Sequence, residues 1–319
     1  SNQLDDYKDT TNYKPANKPL IPFIPTTIND IAFPEKWQPL TYINGENKPT
    51  TPDYIAPHWF KVKPFAITNL ASHLPQPPIS ITRQGYIDQA KHVIEVQANL
   101  TPKQKVIAEY WADGPNSEMP PGHWTVFASY IVERDKLSLS DTIKLFFAIT
   151  NSLLDASIAV WNAKRVYDYC RPITAIRYLF SGKKITAWGG PGIGTTEIDG
   201  STWRPFQVNT FPTPPFAEYV SGHSGFSMAA AKVLELFTKK EDFGYLYVQK
   251  EPLKADKFEL VDGISLYWKT FREAALEAGE SRIYGGIHFY EGNVAGLTMG
   301  EEIGKNAFEK AKKYWLGQL

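Results

Sequence analysis

The chain has 319 residues, long enough to bury a sizeable core as one large domain or two ordinary ones. Its 34 Lys and Arg balance its 34 Asp and Glu, which argues against a nucleic-acid binder or a protein held to membranes by a basic surface. Cys170 is the sole cysteine, so no internal disulfide can form, and no run approaches 18 uninterrupted apolar residues, so no membrane span is expected. The opening Ser-Asn-Gln-Leu has neither an initiator methionine nor an apolar leader core, which suggests a processed form or a fragment.

Residues 1–80 are dense in Pro, Asn and Thr and show almost no helical periodicity. The stretches around Tyr13, Pro19 and Pro75 read as an extended arm draped over another surface, anchored by the isolated aromatics Trp37, Trp59 and Phe65. From about residue 84 the apolar spacing predicts helices over 84–98, 102–112, 122–134, 140–168 and 172–180, then over 221–237, 257–279 and 293–316. Ser140 and Asp141 are the expected cap of the long apolar helix that runs through Trp161. Residues 181–216, rich in Gly and Pro, predict a long loop, and loops of that length inside a domain are usually functional. The fold class read from this pattern is all-α: a helical bundle over residues 81–319 behind a long Pro-rich, non-helical arm over residues 1–80.

Three short clusters break the apolar segments with cations and small polar residues: Lys164-x6-Arg171-Pro172, Ser221-Gly222-His223, and Ser281-Arg282-x5-His288. Cations in apolar surroundings are costly unless an anion neutralises them. Guanidinium forks and backbone N–H groups match the oxygens of a tetrahedral oxyanion such as phosphate or vanadate. One helix carrying both Lys164 and Arg171 would place them two turns apart on one face, with Trp161 on the same face. An isolated pair of this spacing is usually a solvated basic stripe. Against that stand the apolar Ala156, Ile158, Ala159 and Val160 before it, and Pro172 after Arg171, which suits the first turn of a new helix, itself an anion site. Gly222 permits close approach to the backbone, Ser221 offers a hydroxyl and His223 is a candidate acid/base. A helix-capping turn is the bland account of Ser-Gly-His, and a structural histidine that of His288.

In order and spacing the three clusters resemble the vanadium-dependent haloperoxidase and phosphatidic acid phosphatase type 2 superfamily, which is marked by K-x6-RP, (P)SGH and SR-x5-H. The run from Arg171 to Arg177, the Pro121-Gly-His-Trp124 stretch and the run from Ser281 to His288 are similar to bacterial haloperoxidases, as are Trp161 and Phe216. The likeness covers most of residues 100–300. It implies that His288 ligates vanadate through its imidazole, and that Lys164, Arg171, Ser221, the Gly222 N–H and Arg282 hydrogen-bond the vanadate oxygens. It implies His223 and Lys164 as catalytic groups and Trp161 and Phe216 as the halide pocket. The cofactor it implies is vanadate, which phosphate can replace. The partners are hydrogen peroxide, a halide and small organic acceptors, and the location is secreted or periplasmic. A homo-oligomer is compatible with it, and so is an N-terminal part beyond this chain.

Two positions depart from the family pattern. Val220 stands where proline usually precedes Ser-Gly-His. Gly292, four residues after His288, stands where the family often has an aspartate that would orient the histidine from behind, and Glu291 is not expected to replace it. The expected activity is oxidation of halide by peroxide to hypohalous acid, with iodide favoured and bromide next, because weaker support of His288 should disfavour chloride. An acid phosphatase with His288 as nucleophile is the alternative, and a non-catalytic anion-binding helical protein the second.

Overall fold

The computed structural model describes residues 9–318. Eight helices carry the molecule among these residues: α1 Gln84–Ala98, α2 Pro102–Tyr110, α3 Met119–Arg134, α4 Leu139–Tyr167, α5 Pro172–Phe180, α6 Gly222–Thr238, α7 Phe271–Tyr284 and α8 Tyr290–Trp315. The sheets are three antiparallel two-stranded ribbons, β1 Tyr42–Ile43 with β2 Pro49–Thr50, β3 Lys184–Trp188 with β4 Thr195–Asp199, and β5 Asp242–Val248 with β6 Ser265–Thr270.

The helix α4 runs through the middle, packed by α3, α6 and α8. Its cap is Ser138, whose Oγ accepts from the Asp141 N–H at 3.1 Å, two residues ahead of the expected Ser140. By length and composition alone α4 would suit a membrane span, a property that a buried core helix shares. In this fold Leu145, Ala148, Ile149, Ala156, Val160 and Ala163 of α4 are buried. The tightest contact lies between α6 and α8. Gly296, Gly300 and Gly304 recur every fourth residue on one face of α8. A Cβ on Gly300 would overlap the Gly225 carbonyl, and one on Gly304 the Ala229 carbonyl. Their missing side chains let the two backbones meet beneath the anion motif that opens α6.

Three expectations need correction. Lys164 and Arg171 do not share a helix: α4 ends in a left-handed residue, Asp168 (φ 48°), and Arg171 is the N-cap of α5, whose first residue is Pro172. Residues 257–270 are not helical. They form a loop and β6, where Tyr245 pairs with Trp268 and an aromatic cluster with Phe127 and Phe243 replaces helix packing. The long loop over 181–216 contains the β3–β4 hairpin, in which Trp188 turns inward against Phe206.

Among the described residues, the segment before α1 holds short 3-10 turns, the β1–β2 ribbon and isolated bridges. Side chains of the bundle pin it. The buried Asp155 of α4 accepts the N–H groups of Phe65 at 2.5 Å, Ala66 at 2.7 Å and Ile67 at 3.2 Å. Arg177 of α5 gathers the carbonyls of Pro22, Ile24 and Trp203 and the Thr26 hydroxyl, so the second arginine of the 171–177 run is a structural clamp. Trp37 is buried in a small cluster with Tyr13 and Tyr54, and Phe65 meets Phe147 edge to face.

Candidate active site

Helix ends build the site. Lys164 lies in the last turn of α4, Arg171 caps α5, Ser221 caps α6 with Gly222 and His223 in its first turn, Arg282 closes α7, and His288 sits in the turn before α8. Lys164, Arg171, Arg282, Ser221 and His288 are all buried. Such a set of cations in a core is tenable only because each finds acceptors. Lys164 Nζ donates to the carbonyls of Ala217 at 2.8 Å and Glu218 at 2.9 Å, leaving one N–H for a ligand. Arg171 donates from Nε to the Phe216 carbonyl and from Nη1 to the Ile287 carbonyl, each at 2.9 Å. Arg282 Nη1 donates to the Trp111 carbonyl at 2.7 Å.

The unsatisfied donors define what the cage is for. Arg171 Nη2 and Arg282 Nε are buried without a hydrogen-bond partner, as is His223 Nε2. Buried unpaired guanidinium N–H groups are expensive. An oxyanion among them would accept these hydrogens together with the free N–H groups of the first turn of α6. Burial, the largest influence, lowers Arg171 and Arg282 each to about 10 and pushes Lys164 well below its ordinary value. A bound anion would reverse that strain. The donor set therefore fits a tetrahedral or trigonal-bipyramidal oxyanion.

His288 is oriented by two neighbours of opposite kind. Its Nε2 lies 2.9 Å from Arg171 Nη1, and its Nδ1 lies 2.6 Å from Glu218 Oε1. A guanidinium can only donate, so Nε2 accepts from Arg171 and Nδ1 carries the hydrogen, donated to Glu218. Burial first, then Arg171 and Lys164, hold the imidazole well below its ordinary pKa and so keep it neutral, as a ligand must be.

Glu218 is the residue that sequence reasoning missed, and it corrects the concern over Gly292. A Cβ built on Gly292 would overlap the Glu218 carboxylate, which also accepts the Phe289 N–H at 3.2 Å. The support that an aspartate at 292 would lend from one side of His288 is supplied by a glutamate from the segment before α6. Glu291, as expected, does not take that role; its charge acts on Glu218 from outside. Burial raises Glu218 to about 7, with Lys164 and Arg171 pulling it down. The one signal for it in the sequence is a carboxylate standing alone in the apolar run Phe216-Ala-Glu-Tyr-Val220. Val220 is simply buried.

His223 borders the other side. Its ring hydrogen-bonds the Trp111 carbonyl, and Nε2 lies 3.6 Å from Asp113 Oδ2. Asp113 in turn meets His123 Nδ1 at 3.0 Å, and His123 Nε2 meets the Tyr110 hydroxyl at 3.1 Å. The Pro121-Gly-His-Trp124 stretch thus reaches the site indirectly. Burial and then Arg282 hold His223 well below its ordinary pKa.

Aromatic rings wall the cage. Phe216 lies with its ring centroid 5.1 Å from both Lys164 Nζ and Arg171 Cζ, and 4.9 Å from the ring of Trp161. The Trp161 indole N–H is already given to the Ile55 carbonyl at 2.9 Å, so its ring carbons form the wall. Phe226 adds a third ring, 6.5 Å from Trp161.

The family model of the VCPO second helical-bundle domain matches residues 144–317. An apo-type bacterial vanadium-dependent chloroperoxidase superposes with a TM-score of 0.85 at 21% identity, over 97% of this chain and 67% of that one. A holo-type bacterial vanadium-dependent chloroperoxidase gives 0.83 at 21% identity, over 96% and 65%. The first bacterial vanadium-dependent iodoperoxidase gives 0.64 at 26% identity, over 87% and 61%. The chain therefore spans about two thirds of the length of the solved structures it matches. No curated protein matches its sequence.

Proposed function

Since the chain belongs to the family of the VCPO second helical-bundle domain, we propose that it is a vanadate-dependent haloperoxidase, oxidising a halide with hydrogen peroxide to hypohalous acid that halogenates small organic acceptors. The observation that carries this reading is the buried cage itself: Arg171 Nη2 and Arg282 Nε are buried without a partner, beside a neutral His288 whose Nδ1–H is fixed by Glu218. His288 Nε2 is the ligand atom. Lys164, Arg171, Arg282, Ser221 and the Gly222 N–H hold the oxygens, and phosphate fits the same donors. Vanadate bound there would supply the Lewis acidity that activates peroxide.

The chain's own residues do the rest. His223 Nε2, unpaired in the cage, takes and returns the proton of the incoming peroxide. The remaining Lys164 N–H polarises the peroxide oxygen, strengthened by burial that excludes water. Trp161 and Phe216 present ring carbons and offer a halide an apolar approach. Iodide is the preferred halide and bromide the next, because they give up electrons more easily than chloride; the reason drawn from Gly292 falls, since Glu218 supports His288.

A second reading has one observation in its favour. The Glu218–His288 contact would equally activate His288 as the nucleophile of an acid phosphatase. Apo protein incubated with orthovanadate and assayed with iodide, bromide and chloride separates the two. Halide oxidation that appears with vanadate and is suppressed by phosphate supports the peroxidase. Hydrolysis of a phosphate ester without any halide turnover would replace it with the phosphatase. His288→Ala should lose vanadate retention, measured by equilibrium dialysis, whereas His223→Ala should keep some vanadate and lose most turnover.

A further inference from the structure

A groove of about 560 Å³ lies away from the anion cage, between residues 72–76 of the leading segment, Tyr219 and the exposed face of α8. Its charges are of one sign. Glu291 and Glu302 line it, and none of its lining residues is Lys or Arg. Leu74, Val294 and Met299 add apolar lining to it, and Tyr219 and Tyr290 add aromatic rings.

Two polar atoms in this groove have no partner. His73 Nδ1 is buried and makes no hydrogen bond although its side chain is only 7% exposed. Glu291 Oε2 is buried and unpaired as well. His73 Nδ1 lies 3.7 Å from Glu302 Oε1, too far for a hydrogen bond between them. With the His73 hydrogen on Nε2, Nδ1 and Glu302 Oε1 are two acceptors whose separation suits a single donor atom with several hydrogens, placed to reach both. A primary ammonium has three N–H groups and no acceptor. Aromatic faces and a thioether complete a lining that favours an organic cation over a hydrated metal ion.

We propose that this groove is a binding site for a primary-ammonium compound with an apolar body, its nitrogen held by His73 and Glu302 with Glu291 supplying further negative charge. The proposal does not rest on the reading of the reaction, although the charge of Glu291 also acts on Glu218 behind His288.

The test uses the full chain and three probes of like size: phenethylammonium, neutral 2-phenylethanol and anionic 3-phenylpropionate, each titrated calorimetrically at constant ionic strength. Only the ammonium should bind. The Glu291→Gln/Glu302→Gln variant, altered on the outer face of α8, should weaken it about tenfold. His73→Leu should weaken it several-fold, and circular dichroism checks that each variant is folded. Equal binding of the three probes, no binding of the ammonium, an unaffected double variant, or displacement of the ammonium by calcium at equimolar concentration would each overturn the proposal.

Discussion

The leading segment and the helical bundle are held together by different means. In the bundle, α6 and α8 meet backbone to backbone at Gly300 and Gly304, and the surface lost to water is continuous. The leading segment adds Leu20, Leu40, Tyr42 and Ile67 to that core, and bundle side chains also gather its backbone groups: Asp155 takes three N–H groups, and Arg177 takes carbonyls and a hydroxyl. The bundle gives the site its charges, placed at helix ends. The segment gives it fixed carbonyls, such as Ile55 holding Trp161 and Pro57 holding Arg165. Charge placement depends on close packing between helices, whereas the placing of the leading segment also draws on polar tethers.

The largest effect should come from separating the helices. Gly300→Val puts a branched side chain against the Gly225 carbonyl and should cost about 3 kcal/mol. Urea unfolding measures it, and a loss under about 1 kcal/mol would show that the α6–α8 contact has slack. Next comes the carboxylate behind His288. Glu218→Ala should weaken orthovanadate binding about tenfold to a hundredfold. Gly292→Asp in the same chain should restore part of it, because the vacated space lies where the new carboxylate begins. Equilibrium dialysis reads both, and a double variant no better than the single one would sink the exchange.

A smaller effect tests the tethers. Asp155→Ala strands the three N–H groups of residues 65–67 and should cost about 2 kcal/mol. Faster proteolysis near residue 65 at unchanged helix content would mark it as local; a global loss of helix would erase the distinction between the two regions. The smallest effect depends on pH. Burial, the dominant cause, raises Asp168 to about 6, against pull from Tyr13 and Lys36. A carboxyl with a raised folded pKa favours the fold while protonated, below its unfolded value near 3.8, and this benefit fades as pH rises through 6. Asp168→Asn, which can still accept from the Tyr13 hydroxyl at 2.8 Å in the parent, should therefore raise the melting temperature more at pH 8 than at pH 4. Equal shifts at both would show that burial is not felt.

The helices were largely legible because their apolar residues repeat with the helical period, and seven of the eight helices lie within three residues of expectation at both ends. The 257–279 reading failed at its first half because Ile264, Leu266 and Trp268 alternate as a strand does, while their spacing also suits a helix. The cage was legible because its residues are chemically out of place in apolar segments. Glu218 was not, since its meaning depends on Gly292, a residue far along the chain that faces it only in the fold. Asp113 and His123 were hidden for the same reason. The division of Lys164 and Arg171 between two helices was signalled by Pro172 and outweighed by their seven-residue spacing.

The cage draws on the ends of α4 to α7 and the turn before α8, and this has a thermodynamic consequence. No stretch shorter than nearly the whole bundle can hold the anion, so the unfolded chain has almost no affinity for it. Folding must then come first and capture second, and every captured anion counts against unfolding by mass action. The melting temperature should climb with the logarithm of free phosphate, and an anion present at a hundred times its dissociation constant adds about 2.7 kcal/mol. In surroundings poor in vanadium, ordinary phosphate would act as a stabilising placeholder, keeping the empty-handed protein intact until its rarer relative arrives.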